Sequence, residues 1–169
     1  MKNKTYIESL GIHYEGQMII TDIDDCVLLT SNSIRELGLD KESFWFNASL
    51  YNQYKDLVTM NAIITPWGIE LLNLIKNGIV EKFAFITHAK DRSWILCSMF
   101  KINPVHILEA ISPSQRIEWI NAYKDPVIYV DNNDLAINSI INPNAITVMY
   151  PLLNKKYNKP KPLRGRRKI

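Results

Sequence analysis

The chain has 169 residues, 47% hydrophobic and 22% charged, the balance of a single globular domain with a substantial core. No apolar run approaches the roughly 18 residues of a membrane span, and the first residues carry no signal-peptide core. These features set the expectation of a cytoplasmic protein without a membrane partner. The net charge of +3 hides an asymmetry: residues 155–169 hold eight cations and no acid, leaving twelve basic against seventeen acidic residues elsewhere, a net −5.

In chain order, Met18-Ile19-Ile20-Thr21 reads as a short buried strand, and it ends in three carboxylates, Asp22, Asp24 and Asp25, before the apolar pattern resumes at Val27. Residues 29–62 lack strand alternation and read as a small helical insertion. Ser33 is placed to cap one helix ending at Gly38, and Asp40 to cap a second running through Tyr54. Pro66 opens a helix with Leu71, Leu72, Leu74 and Ile75 on its apolar side and Gly78 at its end. Lys82 to Thr87 is a second strand, followed by a helix starting at Asp91 or Ser93. Val105 to Leu108 is a third strand, and Ser112-Pro113 starts the next helix. Pro126 to Val130 is a fourth strand ending at Asp131. Asp134 to Ile140 is a helix and Ala145 to Met149 a fifth strand.

Strands alternating with helices imply parallel pairing. The expected fold class is α/β: a three-layer Rossmann-like sandwich with a mainly parallel five-stranded sheet and a small helical insertion after the first strand. Residues 1–154 form this domain. Residues 155–169, interrupted by Pro160, Pro162 and Gly165, form a basic tail that reads as disordered, either a solubilising terminus or a contact to a polyanion such as nucleic acid. Cys26 and Cys97 match no metal knuckle or redox pair and read as reduced, inert thiols.

Three of the strands end in oxygen-bearing residues: Asp22 with Asp24, Thr87, and Asp131. In a parallel sheet all strand carboxyl ends lie on one edge, where open α/β folds bind ligands. Acids held together there need a compensating cation, and Mg2+, a hard ion that takes oxygen ligands, is the natural one. Phosphate chemistry is the leading function for such a site.

On these residues the chain resembles the haloacid dehalogenase (HAD) superfamily of phosphotransferases. Asp22-Ile23-Asp24-Asp25-Cys26-Val27 matches its first motif, with Cys26 in place of threonine. Thr87 matches the second, Pro66-Trp67-Gly68 the segment before it, and Asp131-Asn132-Asn133-Asp134 approximates the fourth. The likeness spans roughly residues 17–150. It implies that the first and fourth strands lie side by side in the middle of the sheet. It also implies a fixed cation, for which Arg116, Lys90 and Lys124 are the candidates.

The resemblance further implies a mechanism. Asp22 attacks phosphorus and forms an aspartyl-phosphate, while Asp24 protonates the leaving oxygen and then activates water. Mg2+ is held by Asp22, Asp24 (through its backbone carbonyl) and Asp131, with Asp134 or Asn132 supporting through water. Thr87, His88, Arg116 and Lys90 are the candidates for holding the substrate phosphate. Phe44, Trp45 and Phe46 in the insertion offer ring faces to a base. The expected activity is a Mg2+-dependent phosphomonoester hydrolase acting on a small phosphorylated substrate, a nucleoside monophosphate (5'-nucleotidase-like). The alternatives are a nucleic-acid end (3'-) phosphatase that uses the basic tail, and a non-catalytic protein that keeps the HAD fold for binding.

Overall fold

The computed structural model describes residues 6–150; the basic tail 155–169 lies outside the described residues. Five strands form one sheet: β1 (Met18–Asp22), β2 (Phe83–Thr87), β3 (Ile107–Glu109), β4 (Val127–Asp131) and β5 (Ala145–Met149). All pair in parallel in the order β3-β2-β1-β4-β5. β1 is therefore flanked by β2 and β4, with Thr21 beside Val130 and Asp22 beside Ile86. That register sets Asp22 and Asp131 next to each other at the sheet edge.

Alternation along the strands divides the core into two faces. Ile19, Phe83, Phe85, Ile128 and Val130 pack with Trp67, Leu71, Leu74 and Leu96 on one side. Ile20, Ala84, Ile86, Val127 and Tyr129 pack with Ile120 on the other. The outer layers are α5 (Pro66–Lys76) with α6 (Ser93–Phe100), and α7 (Pro113–Ala122) with α8 (Asp134–Asn138). A short helix, α1 (Tyr6–Ser9), precedes β1, and its Ile7 joins the first face.

The helix starts follow local chemistry. Thr65 accepts from the N–H of Gly68 and Pro66 occupies the first turn of α5; Ser112 and Pro113 repeat the device in α7. Gly78 closes α5 at φ +67°, the left-handed conformation that glycine adopts without strain.

Between β1 and α5 lie the insertion helices α2 (Thr30–Glu36), α3 (Lys41–Phe46) and α4 (Ala48–Asn61), closed around Ile34, Phe44 and Val58. Several expected details differ. Ser33 does not cap α2; it is buried inside it, and its hydroxyl donates to the Val58 carbonyl at 2.7 Å. Asp40 does cap α3, but the helix breaks at Asn47, whose side chain caps α4. Of the two expected starts, α6 begins at Ser93, and Asp91 falls in a 3-10 turn (Lys90–Arg92) ahead of it. Residues Pro104–His106 form a similar turn, delaying β3 to Ile107. Among the described residues no helix is long and apolar enough to cross a membrane.

Gly68 fixes how close α5 comes to the turn after β1. A Cβ there would stand 2.6 Å from the Val27 carbonyl oxygen and 2.8 Å from Ile64 Cγ2. Backbone cannot yield as a side-chain tip can, so Gly68→Ala is expected to cost about 1–3 kcal/mol, read as a lower midpoint in urea unfolding.

Candidate functional site

β1 delivers Asp22 to the sheet edge, and the chain then turns through Ile23–Leu28. Asp25 sits at φ +58° in this turn, a left-handed position that costs a residue with a Cβ roughly 1–2 kcal/mol. Its carboxylate offsets that cost: it accepts from the Ser31 N–H at 2.7 Å and from the Ser31 hydroxyl, and pairs with Lys41 at 3.3 Å. Asp25 therefore holds the turn and the start of the insertion. Cys26 is buried in the same turn, its Sγ 3.5 Å from Thr21 Oγ1, and is a free thiol.

Helices that follow parallel strands begin at the edge where the strands end. Arg116, early in α7, thus lies at the acid edge, whereas Lys124, beyond the end of α7 and just before β4, belongs to the opposite edge. Arg116 Nη1 stands 3.1 Å from Asp22 Oδ1 and 2.6 Å from Asp131 Oδ2. One guanidinium nitrogen thereby joins the ends of β1 and β4. The Asp131 carboxylate is further engaged by the Tyr129 hydroxyl and by the N–H of Asn133 at 2.9 Å, and the residue is fully buried.

Asp24 faces a second cation. Arg92 Nη2 donates to Asp24 Oδ1 at 2.5 Å, and the Thr30 hydroxyl donates to the same oxygen at 2.7 Å. Asp24 Oδ2 is buried with no partner. The other Arg92 nitrogen, Nη1, donates to Thr59 Oγ1 of α4 at 3.0 Å, and the guanidinium lies 5.4 Å from the Trp45 ring centre. Arg92 is completely buried, so it links the insertion to the acid cluster. Its neighbour Asp91 accepts from Tyr51 and Lys55 of α4, each at 2.6 Å.

The charges do not cancel. Asp22, Asp24 and Asp131 set three acids against the two buried arginines. Burial pushes the Asp22 carboxyl well above its ordinary range, Asp131 and Asp24 push it further, and Arg116 opposes them without prevailing. Burial acts the same way on Asp24, but the charge and hydrogen bond of Arg92 with that of Thr30 hold it below the usual value. His88 is pushed down, by burial first and then by Arg116 and Arg92, against the pull of Asp24.

A cavity of about 390 Å³ opens over this cluster. Asp22, Asp24 and Arg116 form its floor, Asn132 and Asn133 one flank, and Lys41, Trp45, Phe46 and His88 the side toward the insertion. The Asn132 side chain donates to the Asp24 backbone carbonyl at 3.2 Å. The His88 ring packs against Trp45 with centres 4.7 Å apart.

Several expected site residues lie elsewhere. Thr87 is fully buried and off the cavity wall; its Oγ1 accepts from the Ala89 N–H and closes the turn after β2. Phe44 is buried in the core of the insertion and presents no face to the cavity. Lys90 is exposed on its turn, and Asp134 is exposed at the start of α8; neither lines the cavity. Asp131 sits behind Arg116 rather than on the wall. Among the described residues no three His, Cys, Asp or Glu side chains gather to hold a metal. Of the expected ligands, Asp22 and Asp24 line the cavity, whereas the Asp131 carboxylate is engaged by Arg116 and Tyr129. The oxygens that could serve a hard cation are the Asp22 carboxylate, the unpartnered Asp24 Oδ2, the Asn132 amide oxygen and the Asp24 carbonyl, which also accepts from the Asn132 amide nitrogen.

Arg92 went unread in the sequence, where it looks like an ordinary turn cation beside Asp91. Tyr129 carried a usable signal: it lies two residues before Asp131 on one strand, so both side chains share a face. No family model matches the chain, and no curated protein matches it.

Two stability measurements follow from the charges. Arg92→Met leaves the Asp24 carboxylate buried and unpaired and is expected to cost about 3–5 kcal/mol in denaturant unfolding. Asp22 has the opposite sign. Its raised native pKa means that the folded chain keeps a proton the unfolded chain releases, so its contribution is present at acid pH and is lost as pH rises above the ordinary carboxylate range. Asp22→Asn cannot ionise, and at neutral pH it should melt a few degrees higher than the parent, with the difference vanishing in acid.

Proposed function

We propose that the chain is a Mg2+-dependent phosphomonoester hydrolase that works through an aspartyl-phosphate on Asp22, on the pattern of the HAD superfamily it resembles. The observation that carries the reading is Asp22 at the floor of the cavity, beside a buried arginine that ties it to Asp131. A nucleophile that meets a phosphate needs fixed positive charge close by, because like charges repel strongly in a site shielded from water.

The residues fit a hard dication. The cluster is one positive charge short, Asp24 Oδ2 is buried without a partner, and the oxygens around it are of the kind Mg2+ takes, carboxylates with a neutral carbonyl. Asp22, the Asp24 carbonyl and Asn132 would hold it. When bound, the ion supplies charge neutralisation to the phosphoryl oxygens. The remaining chemistry belongs to the chain. Asp22 forms the bond to phosphorus in line with the departing oxygen. Asp24 carries the protons: it gives one to the leaving oxygen and takes one from the water that opens the aspartyl-phosphate. Arg116 holds Asp22 in place. Trp45 and Phe46 offer ring faces to an organic group such as a nucleobase.

A second reading is favoured by one observation. Arg92 and Thr30 hold Asp24 on a single oxygen as an ionised carboxylate, a state suited to binding rather than to donating a proton. Under that reading the chain binds phosphate esters without turning them over.

A phosphate-release screen over nucleotides and sugar phosphates, with Mg2+ and with EDTA, separates the two. Hydrolysis is expected with Mg2+ alone and should fall to background in Asp22→Asn. Full turnover by that variant would remove Asp22 from the nucleophile role. Esters that bind but are not hydrolysed would favour the second reading. Arg116→Lys should retain the charge but misplace it, lowering kcat/KM by roughly 10²–10³.

A further inference from the structure

We propose that the ester taken by this cavity carries a nucleobase, and that Phe46 and Ile111 at the cavity mouth select it. The inference rests on the phosphomonoesterase reading and names the organic group of its substrate together with the side chains that choose it.

Phe46 and Ile111 reach the cavity from separate parts of the chain. Phe46 is the last residue of α3, held in place because Asn47 beside it caps α4. Ile111 lies in the link between β3 and α7, where its N–H donates to Gln115 Oε1 at 2.7 Å and ties the link to the first turn of that helix. Both line the cavity, yet they are 88% and 78% exposed, so they stand at its mouth rather than on its floor. A lone apolar side chain in water is ordinary. Two at the mouth of a cavity with Asp22 and Arg116 beneath form a surface that a ligand covers.

The ring next to Phe46 is placed differently. Trp45 packs against Phe44 and His88, with centres 4.8 and 4.7 Å apart, and against the Arg92 guanidinium. It is half-buried and builds the wall on the insertion side. One position on, the helix has turned by about 100°, and Phe46 keeps its ring open to solvent. An open aromatic face takes a flat base by stacking, whatever the base is.

The remaining lining says what joins the phosphate to that ring. It includes Lys41, Ser112, Asn132 and Asn133, all polar. An alkyl chain running from the phosphate to the mouth would strip water from these groups without replacing their hydrogen bonds. A sugar supplies hydroxyls to them. A sugar phosphate without a base, however, would leave Phe46 and Ile111 in water. Only phosphate, sugar and base in one molecule match the charged floor, the polar lining and the apolar mouth. The volume of about 390 Å³ lies within the roughly 300–1,000 Å³ of sites that enclose ligands of this size.

The test uses adenosine monophosphate, ribose 5-phosphate and octyl phosphate, so that the base and an alkyl tail are each compared with the bare sugar ester. Affinities are measured with Mg2+ by isothermal titration of full-length Asp22→Asn, in which the esters survive, with and without Phe46→Ala/Ile111→Ala. Kinetics on the parent give the ratio of kcat/KM for the nucleotide to that for ribose 5-phosphate. The nucleotide should bind at least roughly 10-fold tighter than either other ester, and the kinetic ratio should match. Both preferences should fall toward one in the double variant and persist in Phe46→Trp. A merely structural role for Phe46 and Ile111 would lower all esters together and leave the ratio where it was, which would overturn the proposal. So would ribose 5-phosphate binding as tightly as the nucleotide, or octyl phosphate binding more tightly than both. Equal hydrolysis of the nucleotide and ribose 5-phosphate would overturn the proposal and leave the hydrolase reading standing. A base preference that the double variant loses, without phosphate release from any ester, would uphold the selection of the base and overturn the hydrolase reading.

Discussion

Three acids gathered at one edge of a sheet are tolerable only if positive charge is built in among them, and Arg116 is the first part of that solution. Its Nη1 lies within hydrogen-bond reach of both Asp22 and Asp131, so the ends of β1 and β4 are held together by charge as well as by the backbone ladder. A guanidinium suits the role because it stays protonated when buried and presents several donors in a fixed plane. Tyr129 and the Asn133 N–H complete the shell of Asp131, which turns that acid inward and leaves Asp22 as the one facing the cavity. The asymmetry between two neighbouring aspartates thus comes from how many donors each has.

Arg92 is the second part, and it connects what is otherwise a separate unit. The insertion has its own small core of Ile34, Phe44 and Val58, yet its α4 meets the body through Thr59 at Arg92 and through Tyr51 and Lys55 at Asp91. The turn at Lys90–Arg92 therefore presents one side chain to the acids and another to the insertion. On the proposed reading, the position of Asp24 and the seating of the insertion are set by the same guanidinium. Each member of the buried pair depends on the other, because removing one would leave the remaining charge uncompensated in the interior.

The fold was readable because its signals are local and repeated. β-Branched runs mark the strands, and the Thr65-Pro66 and Ser112-Pro113 pairs mark helix starts with known hydrogen-bond chemistry. The direction of a parallel sheet then brought Asp22 and Asp131 together and selected Arg116 over Lys124 by which end of α7 each occupies. What the sequence concealed was side-chain direction. Thr87 ends its strand as expected, but its hydroxyl serves the following turn. Phe44, Trp45 and Phe46 are consecutive, and a helix turns each by about 100°, so one goes to the core and the other two to the cavity. Arg92 was invisible because the partner that justifies burying it, Asp24, lies 68 positions away.

The way the insertion is attached has a consequence of its own. Leu28 pairs antiparallel with Ile64, and the Leu29 N–H donates to the Ile63 carbonyl at 2.8 Å, so the polypeptide departs and comes back through a single gateway. The sheet registers only that the two ends meet there, and the entropy of closing a loop rises slowly with its length. Lengthening, trimming or replacing the intervening helices would reshape the side of the cavity lined by Lys41, Trp45 and Phe46 while the strands keep their register. On the proposed reading, such a body could accept new ligands by exchanging one module, provided the newcomer again offers a hydroxyl to Arg92.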